Sequence, residues 1–229
     1  MLPTSHITKI QQGTQAWLDY KLGLFSSSQI GKLCNPKGFG EGGESYIYKK
    51  ACEAITGKSD EKEYGFIEQL ARGVRLEGEA LREYMEANGE QYLITQQMIH
   101  EKGTMFCSSP DALVIVDAKE DSYAVETVEV KCPQSYSEYT KQRMCDTPEK
   151  FKKEYPIYYW QVLDQMLVCG ANIGHFYTYH PEFPEGNRGH RITFKKVPLW
   201  DDFTFLSKRK SEAVEMFNEV KKKLSIRHI

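Results

Sequence analysis

Apolar and polar positions alternate with period two through the middle of the chain, and that alternation predicts a β-hairpin. Ala112-Leu113-Val114-Ile115-Val116 reads as a buried strand, Asp117 to Ser122 as a charged turn, and Tyr123 to Lys131 as the returning strand. Glu129 and Lys131 share one face, while Val128 and Val130 point the other way into a core, so a one-residue slip would bury both charges. Pro110 has a fixed φ and no N–H, which suits the start of a strand; the hairpin therefore brings Asp111 beside Glu129.

Helical periodicity covers much of the rest. Gln15 to Leu22 predicts a short helix with Trp17 and Leu18 on its buried side and Gly23 as its stop, and a serine of Ser26-Ser27-Ser28 can cap a second helix starting near Gln29. Pro36 to Ser45 contains four glycines and reads as a mobile loop, without the G-K-[ST] ending of a phosphate-binding P-loop. Tyr46 to Thr56 is helical, closed by Gly57, and Lys58 to Glu63 is a charged linker. Phe66 to Asn88 carries one apolar stripe, Phe66, Leu70, Val74, Leu81 and Tyr84, stopped by Gly89. Tyr92 to Ile99 and Thr104 to Ser108 predict strands, Ser135 to Met144 a helix, and Glu149 to Val168 a longer helix interrupted near Pro156 that carries Gln161. His175 to His180 and Arg191 to Val197 alternate as strands around a Pro/Gly turn. The last helix, capped by Asp201 or Asp202, has the stripe Leu206, Ala213, Phe217, Val220 and Leu224. The expected class is α/β or α+β, a central mixed sheet flanked by helices.

Length and composition change this picture little. The 229 residues, 40% hydrophobic, suffice for one domain over residues 1–229. There is no apolar run of about 18 residues and no charged-then-apolar start, so neither a membrane span nor a signal peptide is expected and the location predicted is cytoplasmic. Six scattered cysteines without a C-x-x-C pair argue against a zinc site or an iron-sulfur cluster and for reduced, mostly buried thiols. The net charge of −2 disfavours a simple nucleic-acid binder unless charge is segregated, and it is: Arg191 to Ile229 holds ten bases against five acids, and Asp60 to Glu90 nine acids against four bases. Solvated helix faces and a binding groove both account for such runs.

The candidate chemistry lies in Asp111, Glu129 and Lys131. Two carboxylates converging beside a lysine can bind a hard divalent cation, Mg²⁺ being the natural one, and orient a water; a surface Glu129–Lys131 pair with Asp111 as a turn former is the structural alternative. Glu77 falls on an apolar stripe, where a charge needs a metal, Arg72 or Arg75 as partner, or a place at the stripe's margin. Lys21 with the hydroxyls near Ser28 forms either a phosphate site or an ordinary capped helix.

Gly73-x-x-x-Glu77, Ser109-Pro110-Asp111, Glu129-Val130-Lys131-Cys132-Pro133 and Gln161 occur in an order and spacing that resemble the lambda-type phage exonucleases, the YqaJ-like viral recombinases of the PD-(D/E)xK nuclease superfamily. Gln12-Gly13-x-x-Ala16-Trp17-x-x-x-Lys21-Leu22-Gly23 is similar to that family's N-terminus, and the likeness runs from Gln12 to Val168. The resemblance implies a restriction-endonuclease-like core and a Mg²⁺-dependent exonuclease, with two ions and Mn²⁺ able to substitute. It would degrade the 5′-terminated strand of duplex DNA and leave 3′ tails for recombination. Asp111, Glu129 and the Val130 carbonyl would hold metal, Glu77 would reach a second ion directly or through water, Lys131 would position the attacking water, and Gln161 would support the site or contact DNA. Lys21, Ser28 and Ser109 fall on the family's terminal-phosphate pocket. A homotrimeric ring and a single-strand annealing partner are implied as well, in a phage-encoded protein of the host cytoplasm. Ala112 stands where glycine is common in the family, Lys21 where close relatives have arginine, and the tyrosine that often follows the helix glutamine is missing. The rivals are a catalytically inactive DNA-binding scaffold of the same fold and an iron-sulfur nuclease of the superfamily.

Overall fold

The computed structural model describes residues 1–59, 68–89 and 93–225. In chain order its elements are β1 (Leu2–Pro3), a 3-10 turn (Thr4–His6), β2 (Ile7–Gln11), α1 (Gln15–Tyr20), β3 (Phe25–Ser26), a 3-10 segment (Ser27–Leu33), α2 (Gly40–Thr56) and α3 (Glu68–Asn88). There follow β4 (Leu93–Thr95), β5 (Gln97–His100), β6 (Phe106–Ser108), β7 (Ala112–Lys119), β8 (Ser122–Lys131), α4 (Tyr136–Arg143), α5 (Pro148–Glu154), α6 (Pro156–Val168), β9 (Ile173–Tyr179), β10 (Gly189–Lys195) and α7 (Trp200–Ser225).

The central sheet is mixed, as expected. Its strand order is β10-β9-β8-β7-β4, with β1 also paired to β8. Among the described residues only β8 and β9 run parallel in it, because α4, α5 and α6 carry the chain back between them. Period-two alternation along β8 divides its side chains between two packed layers. Val128 and Val130 join Ala80, Leu81 and Tyr84 of α3, while Val125 packs into the larger cluster with Leu163 and Met166 of α6 and Phe176 of β9. A second sheet, β2-β5-β6-β3, lies beside the first. Its parallel pair, Ser26 against Cys107, sends the chain out of β3 and β6 at the same end.

Several expectations are corrected. The strand predicted over Tyr92 to Ile99 is split at Gln96, whose φ of 56° is left-handed, so β4 joins the central sheet and β5 the second one. β7 continues past Val116, and a bulge between Ile115 and Asp117 turns Val116 out to solvent. Leu18 is half exposed, so α1 buries Trp17 in part and Leu18 hardly at all. The serine segment forms a 3-10 helix whose N-cap, Ser26, makes no side-chain capping bond. In α7, Asp201 and Asp202 stand in the first turn, and the buried stripe ends before Leu224, which is exposed. Asp60 to Glu63 of the linker, Phe66 and Tyr92 lie outside the described residues, as do the side chains of Leu70 and Val74.

The glycine-rich stretch is the largest difference, because α2 begins at Gly40 and absorbs half of the predicted loop. A Cβ on Gly43 would stand 2.7 Å from the Lys32 carbonyl oxygen and 2.8 Å from Phe39 Cβ, so this glycine permits the helix to rest on the 3-10 segment. Gly43→Ala is therefore expected to destabilise the fold although alanine is the better helix former by about 1 kcal/mol. The clash is with backbone and costs about 1 to 3 kcal/mol. The net loss of up to about 2 kcal/mol lowers the melting temperature by up to about 8 °C, and a raised value would contradict the packing described. No helix among the described residues is long and apolar enough to cross a membrane.

Candidate active site

Continuing the β7/β8 register, in which Ala112 faces Val128, places Asp111 opposite Glu129 on the face covered by α6. Pro110 is buried, and Asp111, just ahead of β7, has an Oδ2 that accepts the Val130 N–H at 2.6 Å. Glu129 is buried as well, which departs from the expectation of an outward charge. Its burial is compensated at both oxygens: Oε1 accepts from Lys131 Nζ and, at 2.6 Å, from Gln161 Nε2, while Oε2 accepts from Gln165 Nε2 at 2.5 Å. Lys131 Nζ also donates to the Val130 carbonyl at 3.2 Å and lies 5.5 Å from the ring centre of Tyr158. The surface-pair alternative is thereby set aside, since a pair with one partner 2% exposed and held by two amides is built into the fold.

Glu77, half-buried on α3, comes into the same field. Burial raises its carboxyl above the usual range, with Glu129 adding to the rise and Lys131 opposing it. Burial raises Asp111 further, reinforced by Glu129 and Glu77 and opposed by Lys131 and the Val130 N–H. Burial pulls Lys131 down, but Glu129 and Asp111 together outweigh it and hold the ammonium protonated. Of the arginines weighed as partners for Glu77, Arg72 instead donates to the Cys132 carbonyl at 2.7 Å and Arg75 is exposed. Cys132, next to the site, is pushed up to about 12 by burial and stays a thiol.

Three carboxylates against one ammonium leave an excess negative charge that suits a divalent cation. Among the described residues no three His, Cys, Asp or Glu side chains close on a common point to cage a metal. The donors at hand are the Asp111 and Glu129 carboxylates and the Val130 carbonyl. This oxygen-only set of one or two carboxylates is the kind Mg²⁺ uses while keeping several waters, so the residues fit that ion.

The sequence reading missed Gln165, which lies one turn beyond Gln161 on the same face of α6. Its Oε1 is buried and finds no donor among the described residues, so the side chain is held there for the N–H it gives Glu129. Gln165→Leu keeps the bulk and removes that donor. Supports of this kind are worth about 10- to 100-fold in metal affinity, so the Mg²⁺ concentration for half-maximal turnover should rise by that factor, with a parallel weakening of Ca²⁺ binding in calorimetry. Unchanged affinity would reduce Gln165 to core packing.

The predicted phosphate residues are also placed. Lys21 Nζ lies 3.8 Å from the ring centre of Trp17, and the Trp17 indole N–H reaches Ser109 Oγ at 3.3 Å. Ser28 is exposed, with its hydroxyl 3.2 Å from that of Ser26. Ser27 is turned inward instead, donating to Asp164 Oδ2 at 2.8 Å, and Lys210 of α7 reaches the other oxygen at 2.5 Å. The basic run Lys208-Arg209-Lys210 is thus partly spent inside the fold, since Arg209 also ties to Glu212 and the Asn35 carbonyl. All six cysteines are free thiols, four of them buried. His100, His175 and His180 are buried and bonded within the fold.

Among solved structures, the fold is similar to an alkaline exonuclease, LHK-Exo, from Laribacter hongkongensis (TM-score 0.66, 21% identity, covering 93% of this chain and 98% of that one). The same enzyme in complex with dAMP gives a TM-score of 0.62 at 22% identity, covering 93% and 98%. A phage-related exonuclease from Haemophilus somnus 129PT gives 0.64 at 13% identity, covering 88% and 96%. No curated protein matches. The model of the YqaJ-like viral recombinase domain matches residues 16–172, a stretch that holds Trp17, Lys21, Glu77, Asp111, Glu129, Lys131, Gln161 and Gln165; by that match the chain belongs to the YqaJ-like viral recombinase domain family.

Proposed function

We propose that this protein is a Mg²⁺-dependent exonuclease that hydrolyses the 5′-terminated strand of double-stranded DNA and leaves 3′ single-stranded tails for recombination by strand annealing. The observation that carries the reading is the arrangement of buried Asp111 and Glu129 beside half-buried Lys131, with both Glu129 oxygens held by amides from α6. It stands in a chain of the viral recombinase family whose fold is that of two exonucleases.

Asp111, Glu129 and the Val130 carbonyl would hold Mg²⁺, with Mn²⁺ able to replace it and Glu77 reaching toward a second ion. The metal would supply charge stabilisation at the scissile phosphate and ease the deprotonation of water. The protein's own part is orientation. Val130 N–H fixes Asp111, Gln161 and Gln165 fix Glu129, and Lys131, which donates to Glu129 Oε1 and the Val130 carbonyl, would give its remaining N–H to the attacking water. Lys21, Ser28 and Ser109 would receive the 5′-terminal phosphate. A homotrimeric ring, an annealing protein as partner and the host cytoplasm as location complete the proposal, on the strength of the family.

The deciding experiment incubates the protein with duplex DNA labelled at one end or the other, in Mg²⁺ or EDTA. Release of the 5′-end label in Mg²⁺ alone is expected; release from 3′ ends, or cleavage in EDTA, would overturn the reading.

A further inference from the structure

The helix α1 carries an indole placed between two of the three residues assigned to the 5′-phosphate. Lys21 lies over one part of the Trp17 ring at 3.8 Å, and the ring's N–H points to Ser109 Oγ at 3.3 Å. Ser109 is followed directly by Pro110 and Asp111, so the indole also touches the segment that delivers a carboxylate to the active site. The helix that holds Trp17 is itself pinned. Thr14 caps it by accepting the Trp17 backbone N–H, and Tyr20 bonds through its hydroxyl to His100 Nδ1 at 2.8 Å, tying the far end to β5. Just beyond, the Gly23 N–H donates to Glu53 Oε2 at 3.1 Å, which ties the exit from α1 to α2. Trp17 is only half-buried, so its size is not explained by core packing alone.

We propose that Trp17 is a positioning residue for recognition of the 5′ end: it sets the Lys21 ammonium and the Ser109 hydroxyl as one unit and couples a seated terminal phosphate to the strand start at Asp111. This rests on the 5′-phosphate reading given above. A flexible lysine placed over an aromatic face loses less freedom when it meets a phosphate, and a hydroxyl whose oxygen accepts the indole N–H has its own proton left to give to the ligand. Two groups held by one rigid ring act together.

The test uses the full-length protein and two otherwise identical duplexes, one with 5′-phosphate ends and one with 5′-hydroxyl ends. The readout is the ratio of initiation rates, which does not depend on how much protein is active. Trp17→Phe keeps a ring under Lys21 and removes the N–H donor. It should lower the ratio by about 2- to 10-fold, the worth of one neutral hydrogen bond. Ser109→Ala should lower it by at least that factor, since the contact to the phosphate goes as well, and the double variant by no more than Ser109→Ala alone, because the Trp17 N–H acts through that hydroxyl. A ratio unchanged in Trp17→Phe, or factors that multiply in the double variant, would overturn the inference and leave the phosphate site standing. Equal rates on both ends by the unaltered protein would overturn the site and the inference together.

Discussion

Replacing Glu129 by alanine is expected to lower duplex cleavage by about a thousandfold or more, since a metal centre contributes several kcal/mol to such a reaction and each 1.36 kcal/mol is tenfold in rate. Binding of DNA should persist, because duplex affinity comes mainly from cations meeting phosphates and Glu129 is no such contact. The variant has a structural cost that must be separated from the catalytic one. Gln161 and Gln165 both donate to Glu129, and alanine would leave two buried amides without an acceptor, at about 1 to 3 kcal/mol each. Asp111→Asn is the cleaner companion: an amide oxygen can still accept the Val130 N–H, now 2.6 Å from Oδ2, while the charge is gone. Single-turnover cleavage, a gel shift in EDTA and a melting curve for each variant distinguish the effects. Normal cleavage by either would mean that the pair on β7 and β8 is not the centre of the chemistry.

What could be read from the sequence, and what could not, divides by the range of the forces involved. The hairpin was legible because alternation is a local signal: Val128 and Val130 had to face one way, and the register that followed brought Asp111 to Glu129. The break before Pro156 was legible for the same reason, since proline lacks the N–H that a continuous helix needs. Gln96 was not legible. A lone glutamine at positive φ has no sequence signature, and only the separation of β4 and β5 into two sheets demands it. Gly40 to Ser45 read as a loop because glycine is a poor helix former, yet Gly43 is required by its approach to Lys32, a contact invisible in propensity. Gln165 was passed over because one polar residue on an apolar helix has no assigned partner until Glu129 is placed beneath it. Asp164 hid in the same way, its charge explained only by Ser27 and Lys210 from distant parts of the chain.

Lys131→Met is expected to lower cleavage by about 100-fold or more, on the scale of a lost charge-assisted contact in a transition state, and to leave metal binding intact or tightened. The sign follows from what surrounds the ammonium. Lys131 donates to Glu129 Oε1 and to the Val130 carbonyl, two of the oxygens proposed to hold Mg²⁺, and it opposes the raised affinity of Asp111 and Glu77 for protons. Removing this cation takes away a competitor for those oxygens and leaves the cluster more negative, so a divalent ion should bind at least as well. Removing Glu129 should act the other way, because it would delete one of the proposed ligands. Methionine keeps most of the length of the lysine stem, so packing is largely preserved and the missing element is the charge, which stands 5.5 Å from the ring centre of Tyr158. The measurement is the Mg²⁺ concentration for half-maximal rate in both variants, with Ca²⁺ calorimetry as a check free of turnover. Opposite shifts, higher for Glu129→Ala and equal or lower for Lys131→Met, are the expected pattern. Were Lys131→Met to weaken the metal as Glu129→Ala does, the lysine would be a support for the ligand set and not the group that orients the attacking water.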